Sequence, residues 1–436
     1  NYCAFGNNVV IRSMGSSKKH LIIVCSNFPY GFGEPFLEVE LGYLRQQFNR
    51  ITICTTGNSN SEKQFDVPQD VELIALNPDP SFTQKLTGIW RLFFDAEITN
   101  EIKTITTDYH GAVNWGKLKT MLVSRLRAKQ IKAEMETKIK WNPDAEVFLY
   151  SYWTDDAALA LVYLKNDMPN ATAFCRLHGW DLYFERSSYH YLPFRKRIFN
   201  GLNAVFAISE NGRNYLLSHF SSIINEGRIY QSRLGIRTVN QLQEHKRDFR
   251  TFKLISCSNI IPIKRVHLIV QALSEIEGLE IDWTHFGDGT EKEELTNLCE
   301  KLLDQKENIQ YHFPGRLPNW KVLEYYSSHM VDLFISLSRY DGIPVSIMEA
   351  MSFGIPAIAT NVGGVSEIVI NGKTGFLLDQ EVVPKDVAEV IVHTAQMQTE
   401  EYNQMRIEAK NIWGTYYSAD INYPDFCERV LSFSNG

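Results

Sequence analysis

Apolar residues along this chain fall into short blocks separated by stretches of helical period. Leu21–Cys25, Ile51–Thr55, Val147–Tyr150, Ala171–Arg176 and Ala204–Ser209 are mostly apolar, without strict polar alternation. Such runs predict strands buried on both faces of a sheet. Pro35–Gln47, Asp155–Lys165 and Glu210–Phe220 carry the helical pattern between them. Arg237–Phe252 is polar and charged without periodicity, and reads as a linker. A second series follows, with strands Lys253–Ser258, Glu280–Phe286, Ile309–Phe313, Leu333–Leu337 and Ala357–Thr360. Helices at Val266–Ile276, Glu291–Gln305, Trp320–Ser328 and Val345–Phe353 separate them. The alternation predicts an α/β protein of two doubly wound, Rossmann-like domains facing an interdomain cleft. The expected domains are residues 20–236 and 251–414, with a final helix, 415–436, able to cross back to the first. Ligands of such sheets bind beyond the carboxyl ends of the strands.

Composition narrows the function classes. The 436 residues carry a net charge of −7, which argues against a nucleic-acid binder. Seven cysteines, an odd number with no C-x-x-C pair, argue against a disulfide framework or a four-cysteine zinc site. A reducing cytosol is the simplest compartment, so a cytoplasmic location is expected. The longest apolar runs fall far short of the roughly 20 residues of a membrane helix. Asn1–His20 is polar and unlike a signal peptide, and Met14 is a candidate alternative start.

The segment Asp332–Leu378 carries the most chemistry. Its strand ends near Ser338, and a loop leads to Pro344, suited to the first helical position. Gly354 and Pro356 end that helix. After a short strand, the Gly363–Gly364 turn precedes a second helix expected near Ser366. Two helix N-termini at one sheet edge would favour an anion. Asp341, Glu349 and Glu367 gather around the same edge, more than an ordinary capped βαβ unit needs.

Several spacings in this segment hold together: Asp341-Gly342, Glu349-Ala350, Gly354-Ile355-Pro356 and Gly363-Gly364-Val365-Ser366-Glu367. Together they resemble the E-x7-E region of family 4 retaining glycosyltransferases, which have the GT-B fold. Ser258–Val266 is similar to that family's G-R-x-x-x-x-K stretch, and Phe286–Gly289 to its G-x-G strand end. Arg176–Tyr183 resembles its histidine-bearing loop. Phe28–Glu40 and Ser151–Trp153 resemble the subgroup that builds bacterial exopolysaccharide, capsule and O-antigen.

The resemblance implies roles residue by residue. Glu349 would accept hydrogen bonds from the nucleotide ribose, and Asp341, where the family usually has Glu, would contact the donor sugar. A turn-capping aspartate is the plain alternative for Asp341. Lys264 would neutralise the donor diphosphate. The accompanying arginine's place falls on Asn259, so backbone N–H groups of Gly342 and Ile343 are candidates to share the charge. His178 would sit near the donor sugar and acceptor, against the alternative of a structural histidine. Gly31, Gly33, Gly287, Arg316 and Glu367 complete the implied donor contacts, although a plain turn explains Gly31 and Gly33 nearly as well.

The implied reaction moves a hexosyl group from a UDP-sugar or GDP-sugar to a glycan or polyprenyl-linked acceptor, with no metal or other cofactor. No nucleophilic side chain is expected, and neither a His–His metal pair nor a D-x-D motif is visible. The rival readings are a non-catalytic sugar-nucleotide-binding protein and a GT-B sugar-nucleotide epimerase. Lys117–Lys140 and Phe194–Phe199 combine cations with apolar residues, which suits peripheral contact with the inner membrane. Ordinary packing of the first as a helix on the sheet is the competing expectation. Asp155–Asp156 reads as a helix N-terminus.

Overall fold

A computed structural model describes residues 18–31, 33–57, 59, 62–83, 95–109, 111–237 and 250–435. Most of the expected linker, and the start of the polar N-terminal stretch, lie outside these residues.

The first sheet is parallel and seven-stranded, in the order β3-β2-β1-β4-β5-β6-β7. Its strands are β1 Lys18–Cys25, β2 Arg50–Thr55, β3 Val71–Ala75, β4 Ala145–Ser151, β5 Thr172–Leu177, β6 Ala204–Ala207 and β7 Ile229–Gln231. The second sheet is parallel and six-stranded, in the order β10-β9-β8-β11-β12-β13. It comprises β8 Phe252–Cys257, β9 Ile281–Phe286, β10 Ile309–Gly315, β11 Leu333–Ser336, β12 Ala357–Thr360 and β13 Gly375–Leu378. Strand order reverses between β1 and β4 in one sheet and between β8 and β11 in the other. Each reversal opens a crevice at the carboxyl edge, where the connections diverge to opposite faces.

Burial explains the strand assignments. Leu21, Ile22, Ile23 and Val24 are completely buried because helices cover both faces of β1. One face packs Met121, Ala128, Ile131 and Met135 of helix Trp115–Lys138 against Ile22, Val24 and Leu149. The other packs helix Phe36–Gln47 and the last helix, Ala419–Ser432, against Leu21, Ile23 and Phe148. That last helix follows the second sheet in sequence but seats Tyr423, Phe426 and Val430 in the first domain. Each such side chain contributes about 1.5–3 kcal/mol by leaving water. Within this interface, Arg176 donates to Glu40 at 2.7 Å, with both side chains fully buried. Arg176 also lies 4.2 Å from the ring centroid of Phe426.

Helix Trp115–Lys138 follows the plain packing alternative. Its apolar side is internal, and Arg125, Arg127, Lys132 and Lys138 engage acidic partners. The second basic segment is internal as well: Phe194, Arg195, Ile198 and Phe199 are all buried. The Arg195 side chain donates to the Asp181 carbonyl at 2.7 Å. Among the described residues, no helix is long and apolar enough to cross a membrane.

Several elements differ from the sequence expectations. Helix Ala96–Thr107, absent from those expectations, turns Ile98, Ile102 and Ile105 inward, and its first turn is capped by Asp95, which accepts from the Glu97 and Ile98 N–H groups at 3.0 and 3.3 Å. Strands β3 and β7 lie at sheet edges and are short, and β13 is also an edge. Pro344 precedes the helix, with extended ψ, and the helix runs Val345–Ser352. The second helix expected near Ser366 is a single 3-10 turn, Val365–Glu367.

Candidate active site

The residues singled out in the second domain converge on the carboxyl edge of β8, β9, β10 and β11. Lys264 ends a 3-10 turn, Pro262–Lys264, after β8, and its Nζ lies 2.5 Å from Asp341 Oδ2. Asp341 sits on the loop after β11, so the pair closes the β8–β11 crevice. Its neighbour Arg265 is spent on structure: its buried guanidinium donates to the carbonyls of Leu337 and Gln380, each at 2.7 Å. Beside them, Arg316 follows β10 and donates to Asn259 Oδ1 at 2.8 Å. A guanidinium thus meets the position where the family resemblance would place one. Gly287 follows β9, and its N–H donates to the Gly315 carbonyl at 3.0 Å.

Glu349 lies on helix Val345–Ser352 and is only 6 % exposed. Asn319, the first residue of helix Asn319–Ser328, donates its Nδ2 to Glu349 Oε1 at 2.5 Å. Burial pushes the carboxyl up to about 7, and the Asn319 hydrogen bond only partly offsets it. A carboxylate in an apolar helix with a single amide partner retains acceptor capacity for a ligand's hydroxyls.

The two domains meet at the loop after β11. Gly363 has φ +54°, and a Cβ there would stand 1.8 Å from the Asp341 carbonyl oxygen. The Gly364 N–H donates to the Gly342 carbonyl at 2.6 Å, fastening the glycine turn under that loop. Gly342 in turn abuts the first domain: a Cβ there would meet the His178 carbonyl oxygen at 2.6 Å. Ile343 is buried in the second-domain core at the same junction. Glu367 spans the domains. Its carboxylate accepts from the N–H groups of Glu210 and Asn211 at 3.0 and 2.8 Å, at the start of helix Glu210–Phe220. Arg233 adds a contact at 3.4 Å. Glu367 therefore ties the domains together, and the structure gives it no position among the donor-side pairs.

On the first-domain side, His178 follows β5. Its ring stacks on Tyr152 at 4.7 Å between centroids and lies 4.5 Å from Trp153. Neither ring nitrogen has a hydrogen-bond partner. Burial, helped by the charge of Arg176, holds its pKa well below the usual value, so the imidazole is neutral. Asp181 fixes the loop by accepting from the His178 and Gly179 N–H groups, both at 2.9 Å.

Gly31 and Gly33 line the turn after β1, each lying against the Asn27 side chain. Glu34, two residues before helix Phe36–Gln47, is fully buried. It accepts from the N–H groups of Ser26, Asn27 and Phe28 at 2.5, 2.7 and 2.7 Å, and from the Trp153 indole at 2.6 Å. Three convergent N–H groups at a strand end would otherwise form an anion nest; here the chain fills it with its own carboxylate. Sequence reasoning gave Asn319 no role and met Glu34 and Trp153 only within the Phe28–Glu40 and Ser151–Trp153 stretches, without foreseeing that they pair.

Among the described residues, no group of three His, Cys, Asp or Glu side chains is arranged to hold a metal ion. A hollow of about 430 Å³ lined by Asp304, Lys306, Tyr311 and His312 lies beside edge strand β10 and includes none of the residues above.

Residues 240–412 match the family model described as glycosyl transferases group 1. The chain is 27% identical over 210 residues to the putative colanic acid biosynthesis glycosyltransferase WcaL of Salmonella typhimurium, covering 47% of this chain and 50% of that protein. It is 32% identical over 192 residues to N-acetyl-alpha-D-glucosaminyl L-malate synthase of Bacillus anthracis, covering 40% of this chain and 48% of that one. The chain thus spans about half the length of the curated relatives it matches. Among solved structures, Anabaena HepE in complex with UDP and glucose superposes with a TM-score of 0.63 at 14% identity, covering 95% of this chain and all of that one. The pair of facing parallel sheets is the GT-B architecture. The match to the group 1 glycosyl transferase model thus falls on the second domain, along nearly its whole length.

Proposed function

We propose that this protein transfers a sugar, with retention of anomeric configuration, from a nucleoside diphosphate sugar to a glycan or polyprenyl-linked glycan acceptor in surface polysaccharide synthesis. The observation that carries the reading is Glu349: a desolvated carboxylate with one amide partner, at the carboxyl edge of the switch-point strands. Two vicinal ribose hydroxyls would satisfy such a group. Lys264 and Arg316 supply positive charge for the diphosphate, and helix Val345–Ser352 adds its N-terminal N–H groups. With these cations in place, the leaving diphosphate is neutralised without a metal.

The chemistry follows from positioning. The sugar would lie between Asp341 on the second domain and the His178 loop on the first. As the anomeric C–O bond breaks, charge develops on the diphosphate and on the sugar ring. The diphosphate charge meets Lys264, and the Asp341 carboxylate is released to the sugar hydroxyls. The acceptor hydroxyl attacks from the face the phosphate leaves and passes its proton to a phosphate oxygen. His178, neutral and unpartnered, is suited to donate to or accept from a sugar hydroxyl, not to act as a cation. The protein contributes orientation and preorganised charge. The UDP in the HepE structure fits this assignment.

The test is release of nucleoside diphosphate from a panel of UDP- and GDP-sugars, in chelator, with polyprenyl-linked and free glycan acceptors. Acceptor-dependent release, lost in Glu349→Ala and accompanied by an unchanged anomeric configuration in the product by NMR, is expected. Nucleotide binding with no release from any donor would overturn the transferase reading in favour of a binding protein.

A further inference from the structure

Beyond the donor side, the first domain carries an aromatic cluster that the reaction as described leaves unused. The Trp153 and Trp180 rings lie 5.2 Å apart between centroids, tilted by 40°. Trp180 is 41 % exposed, and Trp153 is half-buried. Both stand at the ends of adjacent strands, Trp153 after β4 and Trp180 after β5. Trp180 belongs to the loop that carries His178, and Trp153 packs on that histidine; the His178 main chain abuts Gly342 across the domain junction. Trp153 is not free to turn: its indole N–H is held by the buried Glu34 at 2.6 Å. That carboxylate is itself fixed by three backbone N–H groups, so it has no slack to release the ring.

An exposed indole normally leaves its polar edge for water and buries its face. Here the Trp153 edge is consumed internally and its ring braces Trp180, the member of the pair that presents exposed ring surface. Next to Trp153 stands a neutral imidazole with two unpartnered nitrogens. A ring face beside neutral hydrogen-bonding groups is complementary to a pyranose, which has an apolar C–H face and an equatorial belt of hydroxyls. An anionic or cationic ligand would find no matching charge on His178, whose burial keeps it neutral.

We propose that Trp153 and Trp180 form the stacking subsite for a pyranose ring of the acceptor glycan, with His178 hydrogen-bonding its hydroxyls and Glu34 as the positioning residue for Trp153. This rests on the transferase reading, because it places the acceptor opposite the Lys264–Asp341 side of the cleft. It deepens that reading by assigning recognition of the acceptor's sugar ring to named side chains of the first domain.

The test uses the full chain on an array of immobilised mono- to tetrasaccharides, in saturating UDP and, separately, in saturating GDP. Nucleotide binding is measured in parallel by calorimetry. The wild type is expected to bind a subset of pyranose glycans. Trp180→Ala and Trp153→Ala should bind these at least about tenfold more weakly, a difference of about 1.4 kcal/mol. Trp153→Phe, which keeps a ring face, should stay within about threefold, the scale of a partly kept aromatic contact. Nucleotide affinity should be unchanged in all three variants. Nucleotide binding without any saccharide binding by the wild type would overturn the subsite alone. So would full saccharide binding by both alanine variants. Failure of the wild type to bind either nucleotide would instead overturn the transferase reading, and the subsite with it.

Discussion

Replacing Glu349 by glutamine separates the stability cost of this carboxyl from its use. In the folded protein burial raises its pKa from 4.5 to about 7. A carboxyl with a raised folded pKa binds its proton more tightly in the native state, so stability falls as pH rises between the two values. Each pH step across that interval is worth about 1.4 kcal/mol. Between pH 5 and pH 8 the wild type should therefore lose about 2–3 kcal/mol relative to Glu349→Gln, which cannot ionise. The neighbours do not confuse the measurement. Cys257 is pushed up to about 12 and Tyr326 well above its usual value, both by burial, so neither titrates in this window. The assay is urea denaturation of both proteins at pH 5, 6, 7 and 8. The difference in unfolding free energy should grow with pH and level off above about 8. Nucleotide binding should run the other way: the wild type should bind more tightly as pH rises through 7, and release protons on binding, while the glutamine variant shows neither trend. A stability difference that is flat from pH 5 to 8 would refute the burial argument.

Lys264→Ala should weaken UDP or GDP binding about tenfold or more while leaving binding of the bare nucleoside unchanged, because the lost charge-assisted hydrogen bonds serve only the phosphates. Calorimetry with nucleoside and nucleoside diphosphate checks this. Glu367→Ala should cost about 1 kcal/mol through loss of the helix cap, and should raise the radius of gyration by X-ray scattering because the lost contacts span the two domains. An unchanged scattering profile would show that Glu367 does not hold them together. Glu40→Ala should destabilise by about 3–5 kcal/mol, because it leaves Arg176 charged and buried beneath the last helix; urea midpoints read it. Glu40→Gln, which keeps one acceptor for Arg176, should lose less.

Central strands and the helices that cover them were legible because burial on both faces writes continuous apolar runs. Leu21–Cys25 and Leu333–Leu337 are such runs. Edge elements were not legible: β3 reads Val-Glu-Leu-Ile-Ala, with only Val71 buried, and β7 has only three residues. In the donor-side cluster, the glycine and acid spacings placed Lys264, Asp341 and Glu349 on one sheet edge. No spacing could show that Lys264 and Asp341, 77 positions apart, pair with each other. Nor could it show that Arg316 reaches Asn259, because that contact depends on β8 and β10 flanking β9. Glu367 likewise has partners that no local spacing shows. Its place in the glycine-turn motif suggested a ligand contact, but its partners are backbone N–H groups of a helix more than 150 residues earlier. Glu34 was hidden for the same reason: what a buried carboxylate binds is decided by loop geometry.

The central claim is that the second domain holds a nucleoside diphosphate through Glu349 and the cations beside it. Calorimetric titration of chelator-treated protein with UDP and with GDP, on wild type and on Glu349→Ala, tests it most directly. The account predicts saturable binding of one nucleotide by the wild type, weakened about 100-fold in the variant, as loss of two hydrogen bonds to a charged group implies. Binding of neither nucleotide, or equal binding by both proteins, would contradict it.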